Sequence, residues 1–196
     1  MRHYFTDNSD TISQPTQFIY NYRKYNFLFT SDHGVFSKNM IDYGSRVLLD
    51  GFFKNEEKSL LDVGCGYGTF GICLKKVYPE LKVDMVDIND RALSLAKLNA
   101  KNNNVDVSVY KSSVYENVHE SYDIIVSNPP VRAGKEIVTA ILTGAYEHLN
   151  QNGSLWIILQ KKQGAPSAKK KMSEVFGQCE VIKRDKGYYL LRSIKR

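Results

Sequence analysis

The chain has 196 residues, of which 42% are hydrophobic and 24% charged, as in ordinary soluble globular proteins. This length fits one domain, which we place over residues 1–196. No apolar run approaches the roughly 18 residues of a membrane helix, and the first residues lack the apolar core of a signal peptide. Three cysteines without a Cys-x-x-Cys pair argue against a disulfide framework and a zinc site and indicate a reducing, cytoplasmic location. The four scattered histidines predict no metal site either.

The net charge of +6 is unevenly distributed along the chain. Residues 160–196 contain eleven Lys and Arg against three Asp and Glu, a net of +8, whereas the preceding 159 residues contain sixteen against eighteen, a net of −2. Scattered lysines often form only a solvated surface. An excess confined to one segment of a domain favours a polyanionic partner.

The first 35 residues are rich in Tyr, Phe, Asn and Thr, and we expect them to form an N-terminal extension. Residues 18–20 and 26–30 are predicted to be two strands of a hairpin that turns near Arg23 and Lys24. An amphipathic helix is expected to follow over about 38–53.

Strand and helix patterns alternate from residue 58 onward. The predicted strands are 58–63, 82–86, 105–110, 122–126 and 155–159, and the predicted helices are 69–77, 90–102, 134–149 and one that begins near Pro166. In helix 90–102, Asp90 is the expected N-cap, and Ala92, Leu95, Ala96 and Leu98 form the expected apolar side. Segments 180–182 and 187–191 predict a closing hairpin. Unbroken apolar strands joined by helices indicate an α/β fold, a doubly wound parallel sheet whose ligand site lies at the carboxyl ends of its strands.

A glycine-rich turn follows the first of these strands. The glycines Gly64, Gly66 and Gly68 allow a tight turn and close approach of a ligand. Asp62 lies just before the turn, where a carboxylate suits a cationic cofactor and would repel a pyrophosphate. The GxGxG spacing also differs from the GxGxxG of dinucleotide sites. Asp87 ends the next strand, where an acid can bind ribose hydroxyls; the alternatives are a plain βα turn and a capping aspartate.

A rigid turn, Asn128-Pro129-Pro130, ends the strand at 122–126. The Asn side-chain oxygen and the Pro129 carbonyl can accept the two N–H bonds of a planar amine, and the prolines fix these acceptors in advance. A purely structural turn is the alternative. The sequence from Ser127 to Pro130 resembles the (N/D/S)PP(Y/F) motif of methyltransferases that act on exocyclic or amide nitrogens.

The wider sequence resembles the RsmC-like family of 16S ribosomal RNA guanine-N2 methyltransferases and their single-domain relatives. The segments that carry this resemblance are 34–37, 42–45, 128–135, 160–165 and 186–189. It implies a Rossmann-like class I methyltransferase fold, with a seven-stranded, mostly parallel sheet covered by helices on both faces. It also implies S-adenosyl-L-methionine as cofactor. The best-characterised members carry a second, degenerate domain before the catalytic one, and this chain matches only the catalytic half.

Two positions depart from the family pattern. Val131 stands where many related enzymes place an aromatic that stacks on the target base, so that Phe36 or an N-terminal tyrosine would have to supply the stacking. Ser112-Ser113 stands where the family often has Ser-Asp, so that Ser113 would meet the adenine amino group with a hydroxyl. Phe36 and Ser37 are expected to line the cofactor or base pocket, with core packing as the alternative.

The expected substrate is ribosomal RNA or the small ribosomal subunit. The residues expected to contact it are Arg132, Lys135, Lys161, Lys162 and Gln163. Adenine-N6 and protein glutamine methylation remain alternatives because both use Asn-Pro-Pro motifs. An alternative that is not an enzyme is a non-catalytic RNA-binding or ribosome-assembly module. The presence of Asp62, Asp87 and Asn128 together argues against it.

Overall fold

The computed structural model describes residues 12–35 and 40–196. Over these ranges the elements in chain order are β1 (Thr16–Tyr22), β2 (Tyr25–Ser31), α1 (Tyr43–Gly51), β3 (Ser59–Val63), α2 (Thr69–Val77), β4 (Lys82–Asp87), α3 (Asp90–Asn102), β5 (Ser108–Lys111), β6 (Tyr122–Ser127), α4 (Lys135–His148), β7 (Leu149–Gln160), α5 (Ala165–Phe176), β8 (Glu180–Asp185) and β9 (Tyr188–Ile194). Short 3-10 turns at Val131–Ala133 and Lys161–Gln163 precede α4 and α5. None of the helices in the described ranges combines the length and apolarity needed to span a membrane.

Seven strands form one sheet in the order β5-β4-β3-β6-β7-β9-β8. The first five are parallel, and β9 runs antiparallel to both β7 and β8. Successive strand residues enter opposite apolar layers: Leu60 and Ile124 pack with α1, α2 and α3, whereas Leu61 and Ile125 pack with α4 and α5. The predicted fold class is therefore confirmed, and the unbroken apolar runs reflect burial on both faces.

The strand order reverses at β3. The chain adds β4 and β5 on one side and then returns to add β6 and β7 on the other, which opens a crevice at the carboxyl ends of β3 and β6. Asp62 lies opposite Val126 in the register, and the buried Ser127 hydroxyl donates a 2.7 Å hydrogen bond to the Val63 carbonyl. The glycine loop and the Asn-Pro-Pro turn thus leave neighbouring strands at the same edge.

Helix α1 begins later than the sequence predicted. Its first residue is Tyr43, and Asp42 is the N-cap, whose Oδ2 accepts the Ser45 N–H at 3.1 Å. Residues 36–39, which the predicted helix partly included, lie outside the described residues. An N-cap aspartate three residues before the bonded amide defines a helix start that amphipathic periodicity alone misses.

Two predictions for α3 are wrong. Its N-cap is Asn89, whose Oδ1 accepts the Ala92 N–H at 3.0 Å, and Asp90 instead opens the first turn and pairs with Lys111 at 2.6 Å. Both residue types cap helices well, so that propensity could not choose between adjacent positions. Leu98 is 42% exposed and does not belong to the buried side of α3. The residue that continues the buried side at this turn is the polar Asn99.

The N-terminal hairpin of β1 and β2 is present as predicted, and two asparagines of α3 hold it. Asn99 Oδ1 accepts the Thr30 N–H at 2.7 Å, and its Nδ2 donates to the carbonyls of Thr30 and Tyr67, both at 2.9 Å. One turn later, Asn103 exchanges the same pair of bonds with Leu28, at 3.0 and 2.9 Å. The two side chains complete the hydrogen bonding of the β2 edge that β1 leaves unpaired.

We expect Asn99→Ala to lower the free energy of unfolding by about 3 kcal/mol, because it leaves three buried backbone groups without partners. Urea denaturation monitored by circular dichroism measures this. Asn102→Ala, on the same helix, is the control and should change stability by no more than about 0.5 kcal/mol. Equal effects of the two variants would mean that the asparagine contacts do not hold the hairpin.

Candidate active site

The glycine loop is anchored to β4 and is open on the crevice side. The Gly64 N–H donates to the Val86 carbonyl at 2.9 Å, and Gly64, Gly66 and Gly68 have φ angles of 72°, 57° and 92°. A Cβ on Gly64 would meet no atom within 4 Å, so this backbone faces open space that a ligand can fill. On Gly68 a Cβ would lie 2.8 Å from Ile72 Cδ1. Gly68 therefore serves the start of α2, and Gly64 is the better placed for ligand contact.

Asp62 places a carboxylate behind this loop. It is only 4% exposed, and its Oδ2 accepts the Gly71 N–H at 3.1 Å. No donor among the described residues reaches its Oδ1. Burial, together with the nearby charge of Asp87, raises the pKa of the Asp62 carboxyl to about 7, and the Gly71 hydrogen bond opposes this rise. A cationic ligand fits this position because it would offset the desolvated negative charge.

Asp87 organises the loop from the end of β4. Its Oδ2 accepts the Gly66 N–H at 2.8 Å and its Oδ1 accepts the Asn89 N–H at 2.9 Å. The sequence predicted a ribose ligand for this residue but gave no sign of its backbone contacts. Since each carboxylate oxygen can accept more than one hydrogen bond, ribose binding remains compatible with this arrangement.

The two serines after β5 have different surroundings. The Ser112 N–H donates to the Asp87 carbonyl at 3.1 Å, while its hydroxyl donates to the Val114 carbonyl at 3.0 Å and accepts the Asn117 N–H at 3.1 Å. Ser113 is half-buried and follows directly at the same edge. This leaves Ser113 as the serine with a hydroxyl to offer a ligand. The other two predicted pocket residues, Phe36 and Ser37, lie outside the described residues.

Asn128 follows β6 directly, and α1 fixes its side chain. Its Nδ2 donates to Asp42 Oδ2 at 3.1 Å and to Ser45 Oγ at 3.2 Å, so both amide hydrogens have partners. Within the described ranges no donor reaches Asn128 Oδ1. Neither Asp42 nor Ser45 was among the site residues predicted from the sequence. The sequence pointed to them only in that segment 42–45 is one of those that resemble the family.

The two prolines present one unused carbonyl. The Pro130 carbonyl accepts the Ala133 N–H at 2.8 Å and thereby closes the 3-10 turn. The buried Pro129 has no such partner for its carbonyl among the described residues. The turn therefore offers two acceptors, Asn128 Oδ1 and the Pro129 carbonyl oxygen, that the fold itself does not use.

The β8–β9 turn packs against the start of α1. A Cβ on Gly44 would lie 2.9 Å from Tyr188 Cε1, and the rings of Tyr43 and Tyr188 are 5.8 Å apart. The Lys186 Nζ lies 4.9 Å from the centre of the Tyr43 ring, and the Gln160 side chain donates to the Tyr188 hydroxyl at 2.7 Å. These contacts join the end of β7 to the helix that holds Asn128.

Basic side chains surround this end of the sheet. Lys161 and Lys162, with Gln163, form an exposed turn after β7, and the Lys161 N–H donates to the Gly187 carbonyl at 2.7 Å. We call Lys161, Lys162 and Lys186 the basic rim. Two further predicted substrate residues, Arg132 and Lys135, are exposed just after the Asn-Pro-Pro turn.

Helix α5 begins at the carboxyl edge of the sheet, because it follows β7 through the Lys161–Gln163 turn. Lys169 and Lys170 are exposed, whereas Lys171 pairs with Glu174 at 2.6 Å. Of the three lysines in this run, Lys171 is therefore the least available to a ligand. Over residues 12–35 and 40–196, no cluster of three or more His, Cys, Asp or Glu could hold a metal ion.

This sheet order with its crevice is that of the class I methyltransferases, enzymes whose methyl donor is S-adenosylmethionine. The chain belongs to the methyltransferase small domain family, whose model matches residues 26–192. The family resemblance seen in the sequence is thereby confirmed.

Three of the proteins that are similar to this chain are compared with it here. An uncharacterized protein, YbxB of Bacillus subtilis, is 42% identical over 98% of each chain. The ribosomal RNA small subunit methyltransferase C of Buchnera aphidicola is 36% identical over 65% of this chain but only 41% of its own length. The T. thermophilus 16S rRNA N2 G1207 methyltransferase RsmC, solved with AdoMet and guanosine, superposes with a TM-score of 0.83 at 22% identity, over 93% of this chain and 51% of that one. The chain thus spans about half the length of these methyltransferases, and the structural likeness shows the fold.

We expect the affinity for S-adenosylmethionine to fall about tenfold for each pH unit below about 7 and to be nearly constant above it. Below the raised pKa of Asp62 the free protein carries a neutral carboxyl, and binding a cation there must release its proton. Calorimetry in buffers of different ionisation enthalpy measures both the affinity and the released proton.

Asp62→Asn is the matched control, because it keeps the side-chain shape but cannot titrate. Its affinity should be weak and independent of pH between 5 and 8. A wild-type affinity that does not change over this range would remove Asp62 from the cofactor site.

Proposed function

We propose that the protein transfers a methyl group from S-adenosylmethionine to an exocyclic amine of an RNA base, and that this amine is N2 of a guanine in small-subunit ribosomal RNA. The observation that carries the proposal is the Asn128 side chain, which has both amide hydrogens bonded and its Oδ1 left for a ligand N–H. The names of the methyltransferase relatives support the RNA substrate.

The two unused acceptors suit the chemistry of such an amine. The lone pair of an exocyclic nitrogen is delocalised into the base, which makes the nitrogen a poor nucleophile. Asn128 Oδ1 and the Pro129 carbonyl can each accept one of its N–H bonds and favour a pyramidal nitrogen whose lone pair points away from them. S-adenosylmethionine supplies an electrophilic methyl group. Since the acceptors are already placed, little reorganisation accompanies the reaction.

The remaining proposed residues divide between the two ligands. Asp62, Gly64, Gly66, Gly68, Asp87 and Ser113 hold the cofactor, either directly or by shaping its loop. Proton removal needs no dedicated base, because the methylated ammonium product is strongly acidic and can lose its proton to water. The basic rim, with Arg132, Lys135 and Gln163, contacts RNA phosphates around the target base. We further propose that residues 1–196 form one methyltransferase domain that acts in the cytoplasm.

Two other acceptors share the same amine geometry, adenine N6 and the side-chain amide of a protein glutamine. The net charge of +8 over residues 160–196 favours a polyanion over a protein. A non-catalytic RNA-binding module would have no use for two unbonded acceptors at the end of β6. Analysis of modified nucleosides in ribosomal RNA from wild-type and deletion cells separates these possibilities.

We expect Asn128→Ala to reduce turnover by about 10²–10³, the scale of losing one preorganised polar contact in a transition state. Affinity for S-adenosylmethionine should change little, because Asn128 contacts the acceptor rather than the donor. The assay uses radiolabelled methyl transfer to small subunits isolated from deletion cells. Asn102→Ala is the control for loss of an asparagine elsewhere. Nearly unchanged turnover in a folded Asn128→Ala variant would make the Asn-Pro-Pro turn structural.

We expect replacement of Lys161 and Lys162 by Gln to flatten the dependence of RNA affinity on salt. Each phosphate contact contributes roughly −0.7 to −0.9 to the slope of log affinity against log salt concentration, because counterions are released on binding. The loss should be similar for RNAs of different sequence, since phosphates carry no base identity. Filter binding over a salt series measures the slope.

The control for this prediction replaces Lys97 and Lys101, two exposed lysines of α3, by Gln. This double variant has the same net charge as the Lys161 and Lys162 variant but should keep the wild-type slope. Equal slopes for all three proteins, or no measurable RNA affinity, would leave the basic rim as solvated surface and favour the protein substrate.

A further inference from the structure

We propose that Asp42 is a positioning residue that sets the direction of the Asn128 amide, with Ser45 as its helper. The inference rests on the proposed function, since it concerns how Asn128 comes to present an oxygen to the substrate amine. The observation that carries it is that one atom, Asp42 Oδ2, accepts two hydrogen bonds, from the Ser45 N–H and from Asn128 Nδ2, each at 3.1 Å.

An asparagine amide has two nearly isosteric orientations. Rotation by 180° about its last torsion exchanges the oxygen, which accepts, for the NH2 group, which donates. The wrong orientation would point N–H groups of Asn128 at the N–H groups of the amine and remove the acceptor that the reaction needs. Something in the protein must therefore disfavour that orientation.

Asp42 meets this requirement, whereas Ser45 alone does not. An ionised carboxylate can only accept hydrogen bonds, so that it bonds the Asn128 NH2 group and repels its oxygen. The Ser45 hydroxyl, 3.2 Å from Asn128 Nδ2, can either donate or accept and would tolerate both orientations. Because the Asp42 carboxylate can only accept, it favours the orientation that leaves Asn128 Oδ1 for the substrate.

The carboxylate is itself held in place. Its bond to the Ser45 N–H caps α1, and this helix is buried through Val47, Leu48 and Leu49. The tight contact between Gly44 and the Tyr188 ring fixes the first turn of α1 against β9. The orientation of Asn128, a residue of the sheet edge, is therefore set by a helix cap 86 residues earlier in the chain.

Three substitutions separate the role in positioning from the role as a cap. Asp42→Asn keeps the cap, and its oxygen, held by the Ser45 N–H, can still accept from Asn128. Asp42→Ser also keeps the cap but is too short to reach Asn128. Ser45→Ala keeps the capped N–H and removes only the hydroxyl. Asp50→Ser, at an exposed position of α1, is the control for the charge change.

We expect Asp42→Ser to lower kcat by about 10–100-fold, the scale of a misplaced reactive contact, with an unchanged Kd for S-adenosylmethionine. Asp42→Asn should stay within about threefold of wild type, and Asp50→Ser should match wild type. In an Asn128→Ala background, Asp42→Ser should cause no further loss, because its partner is already absent. Wild-type kcat in Asp42→Ser, an additional loss in the double variant, or equal losses in Asp42→Asn and Asp42→Ser would each overturn the proposal.

A second measurement is independent of any substrate. In ¹⁵N-labelled free protein, the side-chain amide signals of Asn128 can be assigned by their absence in Asn128→Ala. They should keep their chemical shifts in Asp42→Asn and move toward those of a solvated asparagine in Asp42→Ser. Ser45→Ala should move only one of the two proton signals, because the other hydrogen stays bonded to Asp42. If Asp42→Ser does not fold, this variant provides the test, and movement of both signals would overturn the role of Asp42.

The two measurements separate the two hypotheses. Unmoved Asn128 signals in folded Asp42→Ser would refute the positioning role whatever the enzyme methylates. Shifted signals in Asp42→Ser, together with no methyl transfer to any ribosomal RNA by the wild-type protein, would refute the proposed function and leave the positioning role intact.

Discussion

The site depends on the adjacency of β3 and β6, two strands that are distant in sequence and paired in parallel. Parallel pairing brings their carboxyl ends to one edge, and the Ser127 hydroxyl ties them together at the Val63 carbonyl. The glycine loop on one strand and the Asn-Pro-Pro turn on the next, the proposed cofactor and amine sites, can then serve a single reaction without any long-range motion. A shift of one residue in this register would move Asn128 by about 3.3 Å relative to the loop and separate the two functions.

Around this pair of strands, buried polar atoms determine which groups remain for ligands. Ser112 is occupied by the backbone of its loop and the Pro130 carbonyl by its own turn, whereas the carboxylate oxygens of Asp87 each accept a backbone N–H and can accept more than one hydrogen bond. Asp62 keeps an oxygen without a donor, although burial makes its ionisation costly. Such a carboxyl destabilises the unliganded protein when it ionises, and a bound cation relieves that cost. The site is therefore best suited to a ligand that brings its own positive charge.

The sequence predicted the sheet and the positions of the two turns well because these depend on local patterns. Unbroken apolar runs, a glycine turn and an Asn-Pro-Pro turn are each readable within about ten residues. The contacts that the sequence did not reveal join residues that are far apart in the chain. Asn99 looks like a surface residue until β2 is known to lie over it, and Asp42 looks like an ordinary cap until Asn128 is placed beside it. Adjacent residues of equal propensity, such as Asn89 and Asp90, could not be distinguished because only the tertiary path of the chain decides between them.

The N-terminal hairpin links the two halves of the site. Through Thr30 it shares Asn99 with the Tyr67 carbonyl of the glycine loop, and the Tyr22 hydroxyl donates to the Leu49 carbonyl of α1 at 2.8 Å. The hairpin thus reaches the glycine loop through Asn99, and through Tyr22 it contacts α1, the helix whose cap we propose orients Asn128. Because a two-stranded hairpin is marginal on its own, it must gain its stability from these contacts. The same contacts attach the hairpin to both parts of the proposed site, although it supplies no proposed ligand contact within the described residues.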